Sequence, residues 1–389
     1  MQDASNPIIV SRFLNWKETA DVSKRAAAAS ALARAYLQSD LPFAERCAAE
    51  AALTDLTDDP SPRVRMALAE VMSTATAAPE QILVTLLRDR FDIASLIVAR
   101  SPRVREMDLV ERVRCGDPKL QVLIAQRGEI GRTLAHALSR HGDAEAVFAM
   151  LANANARVCA ECRSLIVERF SNDPEIRGQL LQSRDLEPQL RYKLTVAATE
   201  AIRTAQLSVT LLGPQAAQDA VEAELQRCLV HVIALAPADH CEALIDVMRE
   251  DGRLTTALTI RVACHGHMDF LIDVVSGLSE RTRNSVTDIF ASGRVGQLST
   301  LMQTAGFADA VAHVLVQAII KWRLIGQGKL HAGVQEITHA IMEEISSNGA
   351  GPHDPANDDL EGLLRSIYLD AVRTNARSHA RSVAQLQAA

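Results

Sequence analysis

The side chains with the clearest potential for chemistry are five histidines and cysteines in the C-terminal half. His240 and Cys241 are followed, about one repeat length later, by Cys264, His265 and His267. Zinc takes four nitrogen or sulfur ligands in a tetrahedron, and imidazole and thiolate supply them. The spacing matches no familiar zinc pattern, and no His-Glu-x-x-His motif accompanies it. A metal site at His240, Cys241, Cys264 and His267 is therefore an alternative to cysteines packed in a core and histidines at exposed turns.

A second cysteine pair, Cys159 and Cys162 in "RVCAECR", has the CxxC spacing of a redox dithiol. In thioredoxin-like proteins such a pair starts a helix that follows a strand, and no strand is predicted before Cys159. Two cysteines one turn apart on a repeat helix are also explained by packing of small side chains. The sequence favours packing and leaves redox chemistry as the alternative.

Arginines recur where they could bind an acidic partner. Arg373, Arg377 and Arg381 are four residues apart and share one face of the predicted last helix. This ridge could bind acidic protein, nucleic acid or membrane phosphates, although a solvated helix face explains it as well. On the preceding helices, the predicted partner contacts are Arg103, Arg105, Arg157 and Arg191.

No set of residues predicts catalysis. Asp246 and Asp273 are paired carboxylates of the kind that serve as general acid and base, but they occupy equivalent positions of a repeat, which explains their pairing. No Ser-His-Asp arrangement, nucleotide-binding loop or metal motif is present in the sequence. We expect a protein that is not an enzyme and uses no cofactor.

Composition favours helices. The 389 residues are 48% hydrophobic but only 3% aromatic, which suits many small helix contacts better than sheets. A net charge of -7 offers no general attraction for nucleic acid or anionic lipid, and two tryptophans and three tyrosines leave few stacking platforms for bases. The N-terminal sequence lacks a signal-peptide pattern, the apolar runs are too short to span a bilayer, and the seven cysteines are scattered. We expect a cytoplasmic chain with reduced thiols.

The elements that must position these residues are repeats. In the C-terminal half, Leu244, Leu271 and Leu298 recur every 27 residues, and Gly266 and Gly293 keep the same interval. Such a unit accommodates two helices of about ten residues, with glycines where a helix ends and the chain reverses. The pattern predicts helical hairpins.

The N-terminal half repeats a different phrase, "DDPSPRVRMALAE" at Asp58 to Glu70, in which Asp59 precedes Val64 and Arg65. We expect the acidic residue to cap a helix, the prolines to lie before or in the first turn, and the branched residue to start a buried stripe. The variants of the phrase are Asp185-Leu190-Arg191, Asp117-Val122, Asn153-Val158 and Asp92-Ile97.

At these residues the chain resembles the HEAT-like helical repeats, which open with the same Asp-Pro-x-Pro-x-Val-Arg phrase. The whole chain also resembles an uncharacterised bacterial family known only as a HEAT-like domain of unknown function. The resemblance implies an α-solenoid, and in HEAT repeats the Asp and Arg often form a ladder between successive repeats. Asp59, Arg65, Asp185 and Arg191 could form it here, whereas Leu123 and Cys159 replace the arginine.

The sequence thus predicts an all-α solenoid in two segments plus a C-terminal helix. The predicted parts are residues 1–212, a HEAT-like segment; 213–345, a hairpin segment beginning at Gly213-Pro214; 346–359, a linker; and 360–389, an amphipathic helix that docks on this chain or on a partner. Stacked hairpins expose a long concave surface, so we expect a scaffold that binds an extended or helical segment of another protein. Metal or nucleic-acid binding is the alternative, and self-association through the last helix is a further possibility.

Overall fold

The computed structural model describes residues 13, 15–205, 210, 213–348 and 355–388. In this part the regular structure consists of 22 helices, one of them a short 3-10 helix, and the β pairing is limited to one isolated bridge between Ile130 and Ala156. The predicted all-α fold is confirmed. The chain divides into two compact units, one up to Leu186 and one from Glu187.

The N-terminal unit contains eleven described helices, which we number in chain order. They are α1 Val22–Gln38, α2 Phe43–Thr57, α3 Pro62–Met72, α4 Glu80–Leu87, α5 Phe91–Arg100, α6 Glu106–Arg114, α7 Pro118–Ala125, α8 Arg132–His141, α9 Ala144–Ala152, α10 Ala160–Phe170 and α11 Pro174–Gln182. The odd-numbered helices pack one on the next in a first layer. In a second layer, α2 packs on α4, and α6, α8 and α10 pack in series. This two-layered order is that of a solenoid.

The Asp-Pro phrase acts in two ways. Asp117 caps α7 as predicted, because its carboxylate accepts a hydrogen bond from the Leu120 amide at 3.3 Å. The predicted caps at Asp59 and Asp92 are wrong: α3 starts after Ser61, and Asp92 lies inside the first turn of α5. Asp59 does not cap a helix, because its side chain forms a contact between repeats.

Asp59 is fully buried and pairs with an arginine of the preceding hairpin. Arg25 donates from Nε to Oδ2 at 2.9 Å and from Nη2 to Oδ1 at 3.2 Å, and the Ser61 amide donates to Oδ1 at 2.8 Å. Burial alone would raise the pKa of Asp59, but these hydrogen bonds outweigh it and hold the pKa below its ordinary value. The carboxylate is ionised and links two repeats.

Arg65 extends this link to the next repeat. Its Nε and Nη2 donate to Asp89 at 2.5 and 3.0 Å, and its Nη1 donates to the Asp59 carbonyl at 2.6 Å. The pKa of Asp89, which burial would raise, is also lowered by the arginine. We call Arg25, Asp59, Arg65 and Asp89 the ion ladder; Asp59 and Arg65 were predicted from the phrase.

Beyond the ion ladder, other polar side chains hold neighbouring repeats through backbone carbonyls. Arg127 donates to the carbonyls of Val98 and Ser101, and Arg169 donates to those of Ser139 and Gly142. The predicted continuation at Asp185 is wrong, because its side chain is exposed at a turn.

The C-terminal unit contains the remaining helices. They are α12 Pro188–Thr204, α13 Pro214–Ala234, the 3-10 helix Ala238–His240, α14 Cys241–Glu250, α15 Thr256–Cys264, α16 Met268–Ser279, α17 Arg283–Ser292, α18 Val295–Thr304, α19 Asp309–Gly326, α20 Val334–Asn348 and α21 Pro355–Ala388. No single helix in the described part is long and apolar enough to cross a membrane; Pro214–Ala234 and Ala238–Glu250 meet that length and composition only as a pair bent by 120°.

The 27-residue period predicted helical hairpins correctly. Helices α14, α16 and α18 begin at equivalent positions and stack in series, and each buries its repeated leucine completely. The Thr255 and Thr282 hydroxyls cap α15 and α17 at the same interval. Gly266 and Gly293 follow these two helices with φ of 82° and 63°, a left-handed conformation that favours glycine.

Helix α15 is the centre of the C-terminal unit. Every residue from Leu258 to Cys264 is buried, and α13, α16, α19, α20 and α21 all contact this helix. Helix α21 packs on α15 and α20 of its own chain, burying Leu364 and Ile367 completely. The sequence left docking in cis or in trans open, and the structure shows docking in cis.

Two predicted boundaries differ from the structure. Helix α20 continues to Asn348 and α21 starts at Pro355, so both ends of the predicted linker are helical and the residues between them lie outside the described part. The division at Leu186 precedes the join predicted at Gly213. Helix α12 joins the second unit because Tyr192 is fully buried in its core and donates to Asp251 at 2.9 Å.

Candidate functional site

A groove between α6 and α8 is the best candidate site. Its volume is about 590 Å³. Helix α6 contributes Met107, Val110 and Arg114, and helix α8 contributes Thr133, His136, Ala137, Arg140 and His141. Val110 and Ala137 form a buried floor, whereas Met107 is 58% exposed. The accessible apolar surface of the groove is therefore the exposed side chain of Met107, which lies above the buried floor.

The rim of the groove is basic. Arg114 and Arg140 are exposed on opposite walls, and neither forms an ion pair with another described residue. The lining contains no carboxylate, although Glu161 Oε1 lies 3.5 Å from His136 Nε2 and Glu106 lies at one end of the groove. Partial burial, followed by the charges of Arg114 and Arg140, lowers the pKa of His141. The two arginines thus place positive charge on both walls, which favours an anionic group.

A carboxylate fixes the two walls at one end. Glu106, in the first turn of α6, accepts a hydrogen bond from the Leu134 amide at 2.7 Å and so serves as the cap that α8 lacks in its own N-cap residue, Gly131. A Cβ on Gly131 would lie 2.6 Å from Glu106 Oε2. Glycine at this position leaves room for the capping carboxylate.

A buried amide fixes the other end. Gln121 on α7 donates to the carbonyls of Val113 at 2.8 Å and His141 at 3.2 Å, at the C-terminal ends of α6 and α8. Its side-chain oxygen accepts from the Asp143 amide at 2.9 Å. Because both walls are held at both ends, the groove is preformed.

The predicted arginines on the repeats do not form one site. Arg105 is paired with Glu80 at 2.6 Å and with Asp108 at 3.2 Å, and Arg103 is exposed in the preceding turn. Arg157, also exposed, faces Glu129 at 3.9 Å. Arg191 is half-buried, and burial lowers its pKa. These arginines lie at separate places on the repeats and do not surround a common site.

The arginines of α21 are placed as predicted. Arg373, Arg377 and Arg381 are exposed, and every described side chain from Arg373 to Val383 is exposed as well. No Asp or Glu follows Asp370 in the sequence. The distal part of α21 is thus a basic helix in contact with solvent.

The His/Cys residues are not arranged as a metal site. Cys241 and Cys264 are buried, and burial raises the pKa of their thiols to about 11 and about 12. His240 is exposed beside Asp239, whereas His265 and His267 are half-buried with their rings stacked 6.4 Å apart. The described residues contain no group of three or more His, Cys, Asp or Glu side chains that could hold one metal ion.

The interpretation of the two cysteines as core residues is confirmed. The interpretation of all the histidines as exposed turn residues is wrong for His265 and His267, because the ring of His265 turns inward and its Nδ1 donates to the Arg261 carbonyl at 2.7 Å. Burial lowers the pKa of both rings.

A second groove lies on α14 and α16 and contains the repeated carboxylates. Asp246 and Asp273 both line it, with a volume of about 710 Å³. Arg249 pairs with Asp246 at 3.2 Å, and Arg283 pairs with Asp273 at 2.6 Å. Because each carboxylate already has an arginine partner, the charges largely neutralise one another, and neither carboxylate is arranged as a general base.

Sequence reasoning missed the α6–α8 groove. Arg114 and Arg140 lie about one repeat apart, each near the C-terminal end of its helix, and that shared position was the available signal. They come together only because α6 and α8 are neighbours in the second layer.

Comparison with known proteins identifies the family and no activity. Residues 93–350, which include the α6–α8 groove and most of the C-terminal hairpins, match the model of the family described as uncharacterised protein conserved in bacteria (DUF2336). The match covers more than half of the chain, so the chain belongs to this family. No curated protein and no solved structure matches it significantly.

Proposed function

We propose that this member of the DUF2336 family is a non-enzymatic adaptor that binds an acidic, amphipathic helix of another protein in the α6–α8 groove. The observation that carries the proposal is the combination of the exposed Met107, above a buried apolar floor, with two unpaired arginines on the walls. Helix-in-groove binding uses these two features: apolar anchors for affinity and charges for orientation.

The dimensions and charges suit such a partner. A helix is about 10–12 Å wide with its side chains, so only one face would enter, placing an apolar residue against Met107. Carboxylates on either side of that face would then meet Arg114 and Arg140. Arginine is suited to this role because its planar guanidinium binds a carboxylate through two hydrogen bonds.

The experiment is site-specific photocrosslinking in the native bacterium. A photoreactive residue replaces Thr133, which is exposed in the groove, and crosslinked proteins are identified from otherwise wild-type protein and from an Arg114→Glu, Arg140→Glu variant. We expect a partner whose crosslinked segment is acidic and amphipathic, and whose yield falls at least about tenfold on charge reversal.

The matched control is Arg34→Glu, Arg63→Glu, which changes the same net charge at exposed positions of the same unit outside the groove. This variant should keep the yield within about twofold. Equal loss in both variants, or a crosslinked segment without acidic residues, contradicts the proposal.

Nucleic-acid binding through Arg373, Arg377 and Arg381 is the second candidate, and the exposed, carboxylate-free end of α21 favours it. Binding of single-stranded oligonucleotides to the full chain should then weaken steeply with salt. In an Arg377→Ala, Arg381→Ala variant the salt dependence should become shallower.

A cytoplasmic location belongs to both candidates and is tested by cell fractionation.

A further inference from the structure

The CxxC pair lies where a helix starts. Cys159 is the N-cap residue of α10 and is partly exposed, whereas Cys162 is buried one turn later. Both are free thiols, and their Sγ atoms are 3.1 Å apart. A disulfide bond is about 2.05 Å long, so a movement of about 1 Å would join the two sulfurs.

The surroundings distinguish the two thiols. The hydrogen bond between the two thiols is the main cause that lowers the pKa of Cys159, and the backbone amides of Glu161 and Cys162 in the first turn of α10 add to it. Free amides at a helix N-terminus stabilise negative charge. Burial, in contrast, raises the pKa of Cys162. The accessible thiol is the one stabilised as a thiolate.

We propose that Cys159 and Cys162 are a redox-active dithiol that exchanges with small-molecule disulfides such as oxidised glutathione, with Cys159 as the attacking thiol and Cys162 as the resolving thiol. This inference is independent of the α6–α8 groove.

The exchange proceeds in two steps. The Cys159 thiolate attacks one sulfur of glutathione disulfide, forming a mixed disulfide and releasing one glutathione thiolate, which takes up a proton. Cys162 then loses its proton and attacks the Cys159 Sγ, which releases the second glutathione. With the ionisation of Cys159 included, the protein loses two electrons and two protons, and the glutathione disulfide becomes two glutathione thiols.

The test uses the full-length reduced protein in glutathione buffers of increasing oxidation at neutral pH. Samples are quenched with acid, alkylated and digested with trypsin, which places both cysteines in the single peptide 158–163. We expect this peptide to lose two hydrogens reversibly and to recover them on return to reduced glutathione. In Cys162→Ser the mixed disulfide on Cys159 should accumulate, and in Cys159→Ser the buried Cys162 should stay unmodified.

Cys115 is the internal control, because it is exposed but lies at the C-terminal end of α6 and not at a helix N-terminus. We expect it to form glutathione adducts at least about tenfold more slowly than Cys159 does in the Cys162→Ser variant.

Replacing Cys162 by Ser and by Ala also tests the hydrogen bond, since only serine can still donate to the Cys159 sulfur. Modification of Cys115 while peptide 158–163 remains reduced overturns the proposal, as does oxidation that is no faster in the folded chain than in urea.

Discussion

The two units differ in the contacts that join neighbouring repeats. In the N-terminal unit, buried or half-buried polar groups link one hairpin to the next, first through the ion ladder and then through arginines bound to carbonyls. In the C-terminal unit, the central helix α15 is buried from Leu258 to Cys264 by five surrounding helices, including the last helix of the chain, to which its buried Arg261 is hydrogen-bonded through Ser366. Repeats with a similar two-helix plan thus share apolar packing and differ in what is added to it: polar links at successive steps in one unit, and enclosure of a central helix in the other.

This difference has a consequence for function. A chain of pairwise links leaves the outer faces of its helices free, and the α6–α8 groove is one such face. In the C-terminal unit, by contrast, other helices cover the faces of α15 that an open array of repeats would expose. The unit with the polar links is thus the better candidate for partner binding.

The largest effect should follow from truncating the closed core at Ile367. We expect Ile367→Ala to reduce the free energy of unfolding of the C-terminal unit by about 4 kcal/mol, because the side chain is fully buried. Trp322 reports on this unit in a Trp16→Phe background, since the chain has two tryptophans, and urea unfolding followed by its fluorescence measures the change. Leu369→Ala, at a position 41% exposed on the same helix, should cost under about 1 kcal/mol. Equal costs would show that α21 does not dock as described.

Breaking the ion ladder should cause the next largest loss of stability. Asp89→Ala leaves the half-buried Arg65 guanidinium without its carboxylate, and we expect a loss of about 3 kcal/mol. Trp16 fluorescence in a Trp322→Phe background follows unfolding of this unit. The control is Glu111→Ala, which removes an exposed pair with Arg88 and should cost less than about 1 kcal/mol. If the two losses match, the ladder has only the strength of a surface pair.

Glycine substitutions test closure of the C-terminal unit at the repeat ends. Gly266 and Gly306 have φ of 82° and 86°, so alanine at either position should cost about 1 kcal/mol from the backbone alone. A Cβ on Gly266 would also lie 2.7 Å from the Trp322 ring, whereas a Cβ on Gly306 meets nothing within 4 Å. Gly266→Ala should therefore lower the thermal midpoint further than Gly306→Ala, as measured by circular dichroism. The reverse order would contradict the packing of Trp322 against this turn.

The effects on pH dependence are absent near neutral pH, and they differ between the units. The folded pKa values of Asp59 and Asp89 lie below the ordinary value of 3.8, so their contribution is present above that pH and is lost as the pH falls further. The thiols of Cys241 and Cys264 are raised from 9.0 to about 11 and about 12, so their contribution is present below pH 9.0 and is lost as the pH rises through these values.

We therefore expect the Trp16 signal to show destabilisation in acid, and the Trp322 signal to show it in alkali, when urea midpoints are measured across the pH range. Asp89→Asn should reduce the fall of the urea midpoint in acid (the acid limb), and Cys264→Ala should reduce its fall in alkali (the alkaline limb). Limbs that persist unchanged in these variants would assign the titration to other groups.

Local pattern was enough to predict a large part of the fold. The 27-residue period of Leu244 and Leu271 indicated which helix face is buried, and the positions of Gly266 and Gly293 indicated where helices end, because both depend on residues within one or two turns. The same reasoning failed at Asp59: a residue suited to capping was used for a contact with Arg25 in another repeat.

The features that the sequence did not predict depend on contacts between residues distant in sequence. An apolar stripe on α21 predicts that the helix is covered but not by what, and the structure shows that α15 and α20 of the same chain cover it. In the same way, Arg114 and Arg140 are two unremarkable surface arginines until α6 and α8 pack side by side. Periodicity encodes the orientation of a side chain on its own helix; its neighbours are set by which helices pack together, and that selection is a property of the whole folded chain.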